Sequence, residues 1–309
     1  MNKDTVDLSV TLGKIKLKNP VMPASGVFGY GNEFADFINL EDLGAIIVKG
    51  TTLKPRLGSF QDRFVEIAGC AALCTIGLQN VGVTRFITEK LPYLRQFSTP
   101  VIVNIAGEST EEFAKVAETL NKAEGIAGIE VNVSCPNVER GGMYFGMDPG
   151  ATFEVVKAVR DATDSMVIPK LTPNVTDITI FAKVCEEAGA DAISLINSPL
   201  GMAININTRR SKLGENLTGG LIGPWVKPLA LRMVWQVAQA VNLPVIGIGG
   251  ITGAKDALEF LIAGATAIEI GTYNLIDPGV MIKTIEGIRK YLMERGISSL
   301  SDIIGTFER

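Results

Sequence analysis

The chain has 309 residues, 47% hydrophobic and 20% charged, enough to bury a large core and too apolar for intrinsic disorder. Its 29 basic and 33 acidic side chains leave a formal charge of −4, which argues against a nucleic-acid binder and against a polybasic membrane anchor. Histidine is absent, which excludes Ser-His-Asp and Cys-His catalysis, the HExxH zinc site and zinc held by imidazoles.

The N-terminal stretch MNKDTVDLSVTLGKIKLK has no apolar signal core, and no segment approaches the ~18 uninterrupted apolar residues of a membrane helix. A cytoplasmic protein with reduced thiols is expected. Cysteines at 70, 74, 135 and 185 are too few and too irregular for a disulfide framework, and no Cys-x-x-Cys pair offers zinc or iron–sulfur ligands. Within the N-terminal stretch, LSVTLGKIKLK alternates about Gly13 and predicts a small hairpin.

From residue 21 onward, short apolar runs alternate with longer amphipathic segments. Expected strands are 21–25 (VMPAS), 45–49 (AIIVK), 101–106 (VIVNIA), 129–134 (IEVNVS), 167–172 (VIPKLT), 192–197 (AISLIN), 244–249 (PVIGIG) and 267–272 (AIEIGT). Their near-continuous hydrophobicity suits parallel strands with helices outside. Expected helices include 109–123, 149–162, 176–189, 225–241, 254–265 and 277–296. In the first of these, Ser109 and Glu112 make a capping box, and Phe113, Val116 and Leu120 repeat at helical spacing. Eight β-α alternations predict an α/β protein of the (β/α)8 TIM-barrel class, one domain spanning 1–309, with the hairpin closing its floor. An open doubly wound sheet is the rival and usually carries fewer strands. Connections 50–83, 135–148 and 198–224 are long and follow strands, so they should be lids or binding loops on the C-terminal face.

Chemistry in this fold sits at the C-terminal strand ends. In order these are Ala24-Ser25-Gly26, Lys49, Asn104, Asn132 with Ser134-Cys135, Lys170, Asn197-Ser198, Gly249-Gly250 and Gly271-Thr272. No carboxylate is among them, which disfavours metal-assisted chemistry, and no metal site is expected. Lysine within an apolar strand is costly unless it meets an anion. Two of them at equivalent strand ends point to an anionic ligand, with a Schiff-base role for Lys170 as the rival. The turns GIGGITG after strand seven and GTYN after strand eight can bring backbone N–H groups to a phosphate, although a tight turn alone also uses glycine. Several asparagines on one face suit a flat ring bearing alternating N–H and C=O groups. In a chain without histidine, Cys135 is the residue best suited to move a proton near neutral pH, whereas Cys185 on a helix face is expected to be inert.

The motifs NVSCPN, PASG, IGLQN, KLTPNVTD, TGGLIGP and GIGGI resemble those of the dihydroorotate dehydrogenases over nearly the whole length. The resemblance implies an FMN-containing barrel that oxidises dihydroorotate to orotate in pyrimidine biosynthesis. A cysteine base marks class 1, and INSPLGMAINI and TGGLIGPWVKPLALRMV are similar to the 1B subclass. That subclass works with a second subunit carrying FAD and an iron–sulfur cluster, which implies a homodimer within a heterotetramer. Carried over residue by residue, the catalytic base matches Cys135. Substrate contacts match Lys49, Asn132, Asn137, Asn197, Ser198, Gly77 and Leu78. FMN contacts match Ala24, Ser25, Lys49, Asn104, Asn132 and Lys170, with a phosphate cradle at Gly223, Gly249, Gly250, Gly271 and Thr272. One loop departs from the family: DRFVEIAGCAALCTIGLQNVG carries Cys74 in place of a substrate-binding asparagine, Ala72 in place of a methionine and Val81 in place of a proline. The departure keeps open an FMN oxidoreductase acting on a different small cyclic amide or acid. A non-redox phosphate-binding barrel, such as a Schiff-base aldolase, is the third reading.

Overall fold

The computed structural model describes residues 6–59, 63–67, 71–133 and 142–308. Its central sheet has eight parallel strands: β1 (Val21–Pro23), β2 (Ile46–Thr51), β3 (Val101–Ile105), β4 (Gly128–Asn132), β5 (Met166–Leu171), β6 (Ile193–Leu195), β7 (Val245–Ile248) and β8 (Ala267–Ile270). Each falls on an expected segment. They neighbour one another in the order β1-β8-β7-β6-β5-β4-β3-β2, and the sheet comes round on itself where the Gly44 N–H donates to the Val21 carbonyl at 2.9 Å. The expected (β/α)8 barrel is therefore the observed one. Helices cover the outer face and opposing strands fill the inner one, so β3 and β5 are buried at every position. That is why these strands read as near-continuous apolar runs.

The covering helices include Thr110–Asn121, Pro149–Ala162, Ile178–Glu187, Lys227–Ala238, Ala254–Ala263 and Val280–Glu294. Their starts follow local chemistry. Asp148 caps the second and Asp177 the third, each accepting from a backbone N–H of the first turn. Ser109 accepts from the Glu112 N–H at 3.3 Å, but the Glu112 carboxylate accepts from Glu108, one residue before the expected return bond of the box. Phe113, Val116 and Leu120 are buried against the barrel as their spacing requires. A further helical stretch after β2, with a five-residue π turn at Phe86–Lys90, is not among the elements read from the sequence.

The N-terminal hairpin (Val10–Leu12 with Ile15–Leu17) turns at Gly13, whose φ of 55° favours glycine. A Cβ there would stand 3.0 Å from the Met166 sulfur, at the start of β5, so the hairpin does close the barrel floor.

At the opposite end, two of the long connections meet. Phe64–Ile67 and Ala71–Cys74 from the loop after β2 join Gly219–Ile222 and Leu200–Gly201 from the loop after β6 in a four-stranded antiparallel sheet. Cys74 lies opposite Gly220 in this register. A Cβ at Gly220 would come 2.6 Å from the Ser198 Cβ, so glycine lets the strand pass close to the end of β6. Among the described residues, no helix is long and apolar enough to cross a membrane.

Candidate active site

A deep cavity opens at the C-terminal mouth of the barrel, and its wall takes residues from all eight strand ends. From β1 and β8 come Ala24, Ser25, Gly271 and Thr272, stitched together by the Ala24 N–H donating to the Ile270 carbonyl at 2.9 Å. From β2 comes Lys49, beside a shift in register between Val48 and Thr51, an irregularity of the kind that re-aims a side chain. Asn104, Asn132 and Lys170 follow from β3, β4 and β5. Asn197 and Ser198 extend from β6, where the Asn197 amide donates to Asn132 Oδ1 at 3.2 Å and accepts from the Ser198 N–H at 2.8 Å.

Glycine makes the wall between β7 and β8 possible. Gly249 and Gly250 have φ of 129° and 70°, and a Cβ at Gly250 would stand 2.5 Å from the backbone nitrogen of Lys227. The turn after β7 thus lies directly on the start of the helix Lys227–Ala238, next to Gly223, with backbone rather than side chains facing the cavity edge. Gly77 and Leu78 enter from the loop after β2. That loop is pinned by buried Asn80, which donates to the Leu78 carbonyl at 2.7 Å and accepts from the Gly82 N–H at 2.8 Å. Asn174, whose side chain accepts from the Leu200 N–H at 2.9 Å, pins the loop after β6 in the same way. Every described candidate from the sequence reading therefore lies on one cavity. Cys135 and Asn137 lie outside the described residues.

The electrostatics correct one expectation. The burial of Lys170 does not call for an anionic ligand, because the chain supplies its own anions. Its ammonium stands 3.2 Å from Glu130 on β4 and 3.0 Å from Glu269 on β8, and both carboxylates are fully buried. These two sit deeper than the strand-end positions and were missed there. The signal was present, since each is a lone carboxylate inside an apolar run, IEVN and AIEI. Burial works against the Lys170 charge, but Glu130 and then Glu269 outweigh it and hold its pKa above the ordinary lysine value. An ammonium kept protonated is a poor nucleophile, which disfavours a Schiff-base role.

Lys49 differs. Burial pushes its pKa down, with Cys74 and Glu33 opposing. Burial likewise pushes the Cys74 thiol up, with Lys49 among the groups that oppose it, so the two lie close on the cavity wall. Cys185 is fully buried and its thiol is driven far up by burial alone, as expected of an inert residue.

One buried polar atom on the wall is left over. The Asn104 amide donates to Glu130 at 2.5 Å, while its oxygen is buried with no hydrogen-bond partner among the described residues. An acceptor held in this way suits a ligand bearing a ring N–H.

A family model described as dihydroorotate dehydrogenase matches residues 7–292. A relative from Geotalea uraniireducens is 56% identical over 299 residues, covering 97% of each chain. Relatives from Citrifermentans bemidjiense and Geobacter sulfurreducens are each 54% identical over 302 residues, covering 98% of each chain. All three carry the name dihydroorotate dehydrogenase B (NAD(+)), catalytic subunit.

Proposed function

The chain belongs to the dihydroorotate dehydrogenase family, and from that premise we propose that it oxidises dihydroorotate to orotate in the cytoplasm, as the FMN-bearing catalytic subunit of a class 1B enzyme. The observation that carries this reading is the convergence of two lysines, three asparagines and the glycine turns on one cavity, with the Asn104 oxygen left to accept a hydrogen bond. A flavin fits those residues. Gly223, Gly249, Gly250, Gly271 and Thr272 would hold its phosphate through backbone N–H groups. Ala24, Ser25, Asn104, Asn132, Lys49 and Lys170 would hold its ring system. When bound, FMN supplies the acceptor for the hydride that leaves C6 of the substrate.

The chain's own residues do the rest. Cys135 takes the C5 proton, which is acidic because C5 neighbours a carbonyl. Asn132, Asn137, Asn197 and Ser198 pair with the alternating N–H and C=O groups of the ring, and Gly77 and Leu78 close over it. Lys49 brings a cation to the substrate side. Lys170 holds a second cation at the cavity floor, where negative charge develops during the reaction.

The relatives' name implies a partner subunit. We assign that partner FAD and an iron–sulfur cluster, with NAD as final acceptor and a heterotetramer built on a homodimer of this chain. The two other readings are not favoured: near-full-length relatives share one name, and Lys170 is paired as an ammonium. The test is an anaerobic titration of the purified yellow protein with dihydroorotate. Stoichiometric bleaching of the flavin absorbance is expected. A colourless protein, or no bleaching at millimolar substrate, would overturn the reading.

A further inference from the structure

Beneath the cavity floor two carboxylates face one ammonium. Lys170 Nζ lies 3.2 and 3.3 Å from the two Glu130 oxygens and 3.0 Å from Glu269 Oε2. The surrounding donors are shared unequally. Glu130 also accepts from Ser194 Oγ at 2.8 Å and from the Asn104 amide, whereas Glu269 Oε1 has no donor among the described residues. Were both carboxylates ionised, one buried negative charge would stand uncompensated next to the cavity. Such a charge is costly in itself and would cancel the cation that Lys170 presents.

We propose that Glu130 and Glu269 share a single proton, carried on Glu269, and act as positioning residues whose neutral trio with Lys170 fixes a cation at the cavity floor. The proton follows from the chain's own geometry; what the cation faces rests on the flavin reading above. The groups around Glu269 agree. Lys170 reaches it from β5 and Glu130 from β4, while its register partners on β7 and β1 are the uncharged Ile248 and Met22. Burial first, then the Glu130 charge, push the Glu269 pKa well above the ordinary carboxylate value despite Lys170. Glu130, carrying most of the donors, is the ionised partner, and its carboxylate is held below the ordinary range although burial opposes this. An acid with one oxygen left without a donor and an anion with donors on both oxygens are the two halves of one proton-sharing pair.

The test uses the full chain carrying FMN, with isotope-labelled glutamate and the variants Glu269→Gln, Glu130→Gln and Lys170→Met. Infrared spectra at neutral pH should show a protonated carboxylic-acid band that shifts with the label. Either glutamine variant should abolish it, because the remaining carboxylate ionises against Lys170. Absence of the band from wild type, or its survival in Glu269→Gln, overturns the proposal, and the wild-type spectrum decides this even if a variant does not fold. Sulfite, which adds to oxidised flavin and is favoured by nearby positive charge, reads the charge seen from the cavity. Its dissociation constant in Glu269→Gln should stay within about threefold of wild type, and Lys170→Met should weaken it by at least about tenfold. Tightening of about tenfold or more in Glu269→Gln would mean that an anion had been removed, which also overturns the proposal. A colourless protein would sink the flavin reading alone, since the infrared band needs no flavin.

Discussion

Gly250→Ala tests whether the cradle after β7 is built as described. A Cβ at this position would stand 2.5 Å from the Lys227 nitrogen and 2.8 Å from the Pro224 carbonyl, both backbone atoms at the start of a helix. Neither can swing aside as a flexible side chain would. The residue also has a φ of 70°, which costs an L-residue about 1–2 kcal/mol. Overpacking against fixed atoms adds roughly 1–3 kcal/mol, so a total near 2–4 kcal/mol is expected after partial relaxation. For a chain of this size that lowers Tm by roughly 3–6 °C. Gly253→Ala, three residues on, is the control. Its φ of 167° is ordinary extended backbone, and a Cβ there meets nothing within 4 Å. Thermal melts of flavin-free protein, paired with fluorescence titration of FMN, should show Gly250→Ala destabilised and weak in flavin binding and Gly253→Ala near wild type in stability. Equal melting and equal flavin retention in Gly250→Ala would refute the close approach of the turn to the helix.

Cys135→Ala should keep FMN yet block flavin reduction by dihydroorotate, while Cys135→Ser should reduce slowly and faster as pH rises; wild-type rates in the alanine variant would remove Cys135 as base. Cys74→Asn should tighten dihydroorotate binding by up to about a hundredfold or leave it unchanged, since a desolvated amide hydrogen bond is worth roughly 1–3 kcal/mol and a thiol donates weakly. A clear weakening would show that the thiol's packing, not its missing amide, is what the site needs. The isolated chain should transfer electrons to NAD poorly, and purification from the native source should bring down an iron-containing flavoprotein; efficient NAD reduction without it counts against the partner. Burial lowers the Lys49 pKa, so its cation is present at low pH and lost earlier than for an exposed lysine as pH climbs. KM for dihydroorotate should therefore rise on the alkaline side, and Lys49→Gln should lack that rise.

The barrel is legible because its strands are nearly continuous apolar runs and most covering helices repeat at the helical period. Those signals are local, and folding keeps them. The sheet at the mouth is not local. Its strands Leu200–Gly201 and Gly219–Ile222 are short and glycine-bearing, and they pair with Ala71–Cys74 from a loop far back in the chain. No period within either loop announces such a pairing. The same distance hides the partners of Lys170, which lie 40 and 99 residues away along the chain.

The physical rule applied to the lysines, that a charge inside an apolar strand must meet its opposite, holds equally for the glutamates of IEVN and AIEI. Applied to all of them together it pairs Lys170 within the barrel, with a proton to make up the count. The burial of Lys170 then says nothing about what enters the cavity. The case for an anionic ligand passes to Lys49, whose charge burial weakens rather than strengthens. A cation that the fold itself disfavours is one that a bound anion can restore, and dihydroorotate carries a carboxylate. The alkaline rise in KM and its loss in Lys49→Gln are thus the measurements on which the substrate half of the site depends. If binding is flat with pH in wild type, the anion is held elsewhere.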